Sequence, residues 1–402
     1  MSGSIILQII SICCQPFLTR LYTPQDYGVF SVMQSVVAIY CVVGGLCYDR
    51  VIVITKYRTH ARAVLQLTMF LYLICGGFLS ILLLIPSIWY TLFNLDFTFQ
   101  LWWIFIVWLI CSGLLVGIVA FHNREGNFNE LSIRQVKSGI TSLITQLVFG
   151  SLKFSLVGLM AGVVFNVLYS IKLLYQVKYF NCSYKFNVLK SILRTYSKFP
   201  KYQLPSVILE TLSLQSVVIL INKLLSSNIA GQYALANKML AIPLTIVGSA
   251  FATVFYREFA IRYNNKDKPK EFLVSIWVKL FLIGILPCGF VFLFSEKLFV
   301  IFFGLNWILA GWFAKYLCLM TFFMLISSPT STAFIIMGLH KYQLYFSLII
   351  FITRIIAVFI MSLSLFYGVM FLIITEIIAL IIYNYSIVNC LKNRINFTGT
   401  YI

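Results

Sequence analysis

Apolar runs long enough to cross a bilayer, separated by short polar connections, recur from one end of the 402-residue chain to the other. After Ser2–Leu18 they fall near residues 29–54, 64–92, 99–121, 138–152, 156–177, 203–222, 232–256, 272–295, 310–337, 344–366 and 368–390, which makes twelve. A helix needs ~20 apolar residues to cross the hydrocarbon, whereas an outer-membrane strand needs only ~10, with alternating polarity. Lipid offers no partners for backbone N–H and C=O groups, so runs of this length must close their hydrogen bonds internally, as helices do. The expected fold is an all-α polytopic membrane protein with twelve transmembrane helices. Composition points the same way, because only 10% of residues are charged, against ~25% in a soluble domain. No basic leader with a small-residue cleavage site precedes Ser2–Leu18, which reads as a retained first helix. The fifth run is the most dilute, with Gln135, Lys137 and Gln146 in or beside it.

Basic residues sort by connection. With the amino terminus inside, the cytoplasmic connections and tail carry twenty Lys and Arg, and the outer connections carry four: Arg20, Lys153, Lys223 and Lys297. That alternation is the positive-inside pattern and predicts that both termini lie on the cytoplasmic side of the membrane. It also accounts for the net charge of +19 as topology, with anionic membrane lipid as a secondary contact and no nucleic-acid partner. Ten cysteines are scattered without CxxC spacing, so no disulfide framework, metal site or cofactor is expected.

A pattern repeats across the chain. Leu18–Phe30 (LTRLYTPQDYGVF) and Ile221–Tyr233 (INKLLSSNIAGQY) align at Arg20 and Lys223, with Gly28 matching Gly231 and Phe30 matching Tyr233, at an offset of 203 residues. A polar hairpin duplicated near the midpoint implies a duplicated helical half. The expected organisation is a six-helix lobe at 1–177, a basic cytoplasmic linker at 178–202 and a second six-helix lobe at 203–402. No connection is long enough to form an extra-membrane domain.

Charges inside the spans carry the functional signal, since a charge at mid-bilayer costs ~2.5–3.5 kcal/mol unless it is paired or wet. Lys172 and Lys279 are near enough to basic loops to snorkel. Arg354, 11 residues past Gln343, lies about 16 Å into its helix; Lys238, Glu210 and Glu376 are also deep. Interhelical pairs such as Arg354 with Glu376 or Lys238 with Glu210 would satisfy these charges, and so would a polar lumen. Asp49 and Arg50 are adjacent and point about 100° apart on a helix, so they cannot satisfy each other. Among lumen candidates the bases Arg50, Lys238, Lys315 and Arg354 outnumber the acids Asp49, Glu210 and Glu376, which favours an anionic cargo such as a phosphate. Pro205 is expected to open the seventh helix, and Pro243 and the Ser327–Ser328–Pro329 stretch mark expected bends or interruptions in the eighth and tenth.

The stretches LTRLYTPQDYGVFSVMQSV, KYQLPSVILETLS and NIAGQYALANKMLAIPLTIVGSAFATVFYREF resemble the Wzx-type O-antigen and oligosaccharide flippases, within the multidrug/oligosaccharidyl-lipid/polysaccharide exporter superfamily. The resemblance implies two six-helix lobes around a central cavity. It also implies transfer of an undecaprenyl-diphosphate-linked oligosaccharide between leaflets by alternating access, in lipopolysaccharide or polysaccharide biosynthesis beside the polymerase and chain-length machinery. The family's cationic lumen would correspond here to Arg50, Lys238 and Arg354, with Asp49, Glu210 or Glu376 coupling an ion gradient; no enzymatic activity is expected. An acid-lined cavity would instead mark a drug or cation antiporter of the same superfamily. A long outer loop with Arg, His and carboxylates would mark a glycan polymerase or ligase. The excess of buried cations and the short outer loops weigh against both.

Overall fold

The structure is a computed structural model that describes residues 2–94, 98–175, 186–197, 199–265, 267–337 and 340–396. It is helical throughout those residues. The elements are α1 Ser2–Leu21, α2 Pro24–Val43, α3 Tyr48–Ile54, α4 Arg58–Leu82, α5 Pro86–Phe93, α6 Phe99–Glu125, α7 Phe128–Ser151, α8 Ser155–Leu174, α9 Phe186–Thr195 and α10 Leu204–Leu224. They continue with α11 Ser227–Asn265, α12 Pro269–Phe303, α13 Ile308–Ser327, α14 Ala333–Ile336, α15 His340–Leu363 and α16 Leu365–Asn396. Among the described residues ten helices are long and apolar enough to cross a membrane. Two further long helices differ from them: α1 offers a shorter apolar stretch, Ile5–Leu21, and α7 begins with the polar residues Glu130, Arg134, Gln135 and Lys137.

The chain divides into two compact units, Met1–Gly231 and Gln232–Ile402. The expected boundary was the linker at 178–202, of which 178–185 and Lys198 lie outside the described residues. The division falls later because α10 packs along α2 and against α5, drawing residues 204–224 into the first unit.

Two apolar runs that read as single spans are broken by local chemistry. The run at 29–54 ends its first helix at Gly44 and Gly45, and Leu46 and Cys47 adopt positive φ of 47° and 61° before α3 begins. Tyrosines brace this break, with the Tyr40 hydroxyl donating to the Tyr72 carbonyl at 2.8 Å and the Tyr72 hydroxyl to the Cys41 carbonyl at 2.7 Å. The run at 64–92 is interrupted by a turn ahead of Pro86, which opens α5. Pro243 does not interrupt its helix: α11 continues through it for 39 residues, since one missing backbone donor in a long helix can be absorbed. The tenth run does break, as expected, after Ser327. There the Thr330 hydroxyl donates to the Ser327 carbonyl at 3.0 Å and accepts from the Trp277 indole at 3.1 Å, while the Asn384 amide donates to Ser327 Oγ at 2.8 Å.

Packing holds each unit together, because hydrocarbon solvates apolar helix faces as well as other helices do. In the first unit Val51, Ile52, Val64, Leu65, Phe121 and Ile192 join α3, α4, α6 and α9. In the second, Phe255, Phe259, Leu273, Leu280, Phe334 and Ile387 join α11, α12, α14 and α16. Gln146, which dilutes the fifth run, is buried and used: its amide donates to the Leu159 carbonyl at 3.4 Å and its own carbonyl accepts from the Tyr22 hydroxyl at 2.6 Å.

Candidate functional site

The repeated hairpin is a local anchor in the first unit. Thr23 caps α2 by accepting from the Asp26 amide at 3.2 Å, while Asp26 Oδ2 accepts from the Thr23 amide at 3.1 Å, the reciprocal arrangement of a capping box. Asp26 Oδ1 also accepts from the Ser155 hydroxyl at 2.8 Å, tying the turn to the start of α8. The two pattern glycines then meet. A methyl on Gly28 would overlap the carbonyl oxygen of Ser227 and sit 3.0 Å from the Gly231 amide nitrogen. One on Gly231 would overlap the carbonyl of Pro24 and sit 2.8 Å from the Gly28 nitrogen. The duplicated motif therefore makes a reciprocal backbone contact with its own copy, which only hydrogen side chains permit.

In the second unit the aromatic of the same motif leads to charge. Tyr233, two residues past Gly231, is buried and stacks edge-on against Phe313 with ring centroids 5.6 Å apart. It is an electrostatic neighbour of both Arg354 and Glu376. Arg354 Nε donates to Glu376 Oε1, joining α15 to α16, and the two side chains are 9% and 3% exposed. Of the two arrangements the sequence allowed for Arg354, the structure forms the ion pair. Lys315 is also paired, with Glu296 of α12 at 3.1 Å, but this bridge is far wetter, its side chains 32% and 44% exposed. Exposed pairs contribute ~0–1 kcal/mol, so Glu296→Gln should change thermal stability little. Unfolding followed by tryptophan fluorescence checks this.

The remaining charges differ in exposure. Lys238 on α11 is exposed, as are Arg50 at the start of α3 and Glu210 on α10; Asp49 is half-buried. Asp49 and Arg50 are neighbours on α3 and so point in different directions. Among the described residues neither Asp49 nor Arg50 belongs to an ion pair. Glu210 falls in the first unit and Lys238 in the second.

The first unit also contains a cavity of about 500 Å³ between α2, α3, α6, α7 and α8. Its polar lining is Gln34, Asp49, Ser112, Asn123 and Arg134, and its apolar lining includes Trp108 and several valines. Sequence reasoning found Asp49 but counted Arg134 only as a loop charge, and it passed over Gln34. A lone amide inside an otherwise apolar run was the available signal for Gln34.

Comparison with known proteins places this architecture. Residues 17–310 match the family described as polysaccharide biosynthesis protein. The chain is 23% identical over 318 residues, 76% of its length, to the succinoglycan biosynthesis transport protein ExoT of Rhizobium meliloti (strain 1021), and spans 61% of the length of that relative. Among solved structures it resembles an inward-facing multidrug resistance MATE family transporter of the MOP superfamily, with a TM-score of 0.68 and 15% identity, covering 98% of this chain and 96% of that one. It also resembles a MOP superfamily transporter from Pyrococcus furiosus, reported to have reversed polarity in its binding pocket, with a TM-score of 0.59 and 16% identity, covering 97% of this chain and 94% of that one. At these identities the two structures establish the fold alone.

Proposed function

The chain belongs to the polysaccharide biosynthesis protein family, and from that premise we propose that it is a flippase that moves an undecaprenyl-diphosphate-linked oligosaccharide from the cytoplasmic to the periplasmic leaflet of a bacterial inner membrane. The observation that carries the reading is the family match over residues 17–310, and exposed bases within apolar helices fit it. The Arg354–Glu376 pair takes up one base and one acid, and the bases Arg50 and Lys238 are exposed within apolar helices. A cation within an apolar helix needs water or an anion beside it. A diphosphate is suitable, because it must avoid oil during transfer and accepts several charge-assisted hydrogen bonds at once.

In this mechanism the cationic side chains hold the diphosphate, the glycan occupies polar space, and the prenyl tail remains in lipid. Alternating access then exposes the bound headgroup to each leaflet in turn, with both termini on the cytoplasmic side. Glu210 is the exposed carboxylate that would take up a coupling proton or sodium ion. The wetter bridge of Lys315 with Glu296 can open to lend a further cation, whereas the buried Arg354 would have to leave Glu376 to do so.

Deleting the gene should make complete carrier-linked repeat units accumulate on the cytoplasmic leaflet and remove the surface polysaccharide. Complementation with Arg50→Glu or Lys238→Glu protein that inserts normally should restore less than about a tenth of the surface glycan, since a like charge facing a diphosphate costs several kcal/mol. Normal surface glycan from either variant would remove that cation from the mechanism. Normal glycan in the deletion strain itself would remove the flippase reading.

A further inference from the structure

The cavity of the first unit is lined by one acid and one base among its polar residues. Asp49 and Arg134 both face it without bridging one another. Asp49 accepts backbone hydrogen bonds at the start of α3. Arg134 donates only a long bond to Ser170 Oγ, at 3.5 Å, and its buried Nε has no hydrogen-bond partner among the described residues. Between them stand the amides Gln34 and Asn123 and the hydroxyl Ser112, against an apolar wall that includes Trp108.

The chemistry of that set restricts the occupant. A free phosphate would be drawn to Arg134 but repelled by Asp49, and a bare cation would meet the reverse. One carboxylate and one guanidinium balance, so the cavity favours a neutral molecule that both donates and accepts hydrogen bonds. Planar side chains that bond through two atoms (carboxylate, guanidinium and two amides) match adjacent hydroxyls, and apolar walls match the C–H faces of a ring. At about 500 Å³ the space falls within the ~300–1,000 Å³ of small-molecule sites and has room for a small glycan. On the orientation argued from loop charge, Asn123 and Arg134 lie toward the cytoplasmic side, where carrier-linked cargo is assembled.

We propose that this cavity is a glycosyl subsite, in which Asp49, Arg134, Gln34 and Asn123 hold a neutral sugar of the cargo while its diphosphate is bound elsewhere. The assignment rests on the flippase reading, and it divides headgroup from glycan: cations bind the diphosphate, and the charge-balanced cavity selects the sugar.

The test uses full-length protein in nanodiscs, titrated calorimetrically with two probes: the source strain's repeat-unit oligosaccharide freed from its lipid by mild acid, and undecaprenyl diphosphate carrying no sugar. Asp49→Asn and Asn123→Ala should each weaken oligosaccharide binding about tenfold, the equivalent of roughly one or two hydrogen bonds, and leave undecaprenyl diphosphate binding unchanged. If Asp49→Asn fails to fold, Gln34→Ala and Asn123→Ala decide, because both side chains are exposed. Variants that bind the oligosaccharide like the wild type, or lose both probes alike, overturn the subsite. A wild type that binds undecaprenyl diphosphate but no oligosaccharide overturns the subsite alone, and one that binds neither probe overturns the flippase reading with it.

Discussion

Gly231→Val protein should be nearly absent from membranes, or unfold far below the wild-type temperature, and Gly28→Val should match it. Each new side chain would overlap a backbone carbonyl, that of Pro24 in one case and Ser227 in the other. A rotamer change cannot relieve such a clash, because the obstacle is main chain, so α2 and the start of α11 would have to separate. Overpacking a core with extra methylenes costs ~1–3 kcal/mol; a clash with rigid backbone belongs at or above the upper end. The control is built into the sequence: a methyl added to Gly77 or Gly289 would meet nothing within 4 Å. Ala at those helical positions should be neutral or stabilising by up to ~1 kcal/mol. Thermal unfolding of the four purified proteins, read by tryptophan fluorescence, separates the two classes. A Gly231→Val protein as stable as Gly77→Ala would show that the two copies of the motif do not touch.

Glu376→Leu should be the most damaging single charge removal, costing ~3–5 kcal/mol, because it takes the carboxylate away from the buried Arg354 guanidinium. Arg354→Leu should cost less, since a buried carboxylate can escape its penalty by protonation. The double variant Arg354→Leu with Glu376→Leu should be more stable than Glu376→Leu alone, giving a coupling energy of about 1–3 kcal/mol in a mutant cycle. Additive losses would mean that the two side chains do not interact. Surface glycan from the double variant then separates roles: a purely architectural pair can be replaced without loss of export, and a pair that opens during transport cannot.

Much of the architecture was legible because lipid leaves the backbone few options. The span-length runs predicted an all-helical protein, and the described residues are helical along them, although the runs at 29–54 and 64–92 each divide into two helices. The repeated motif was visible as a spacing of Gly28 and Gly231, but their mutual contact was not, because a pattern in one dimension says nothing of which copies touch. The boundary between compact units moved from the linker to Gly231 because α10 packs on α2, a choice set by shape and not by composition. The partner of Arg354 was among the sequence-stated alternatives, since Glu376 was the deep acid on the next helix. Glu296 was not foreseen for Lys315: it lies 19 residues earlier, across the α12–α13 turn. Arg134 was hidden by its own loop, where a cavity-lining guanidinium and a topological charge look alike.

Helix α11 runs 39 residues, about 58 Å at the helical rise, against ~30 Å of hydrocarbon. A rod pinned close to one tip converts angle into travel. From Gly231 to Arg262 is about 46 Å, so ten degrees of tilt would carry Arg262 through roughly 8 Å. A spin label at that far tip is where the slightest rearrangement beside the motif glycine is read with the greatest gain.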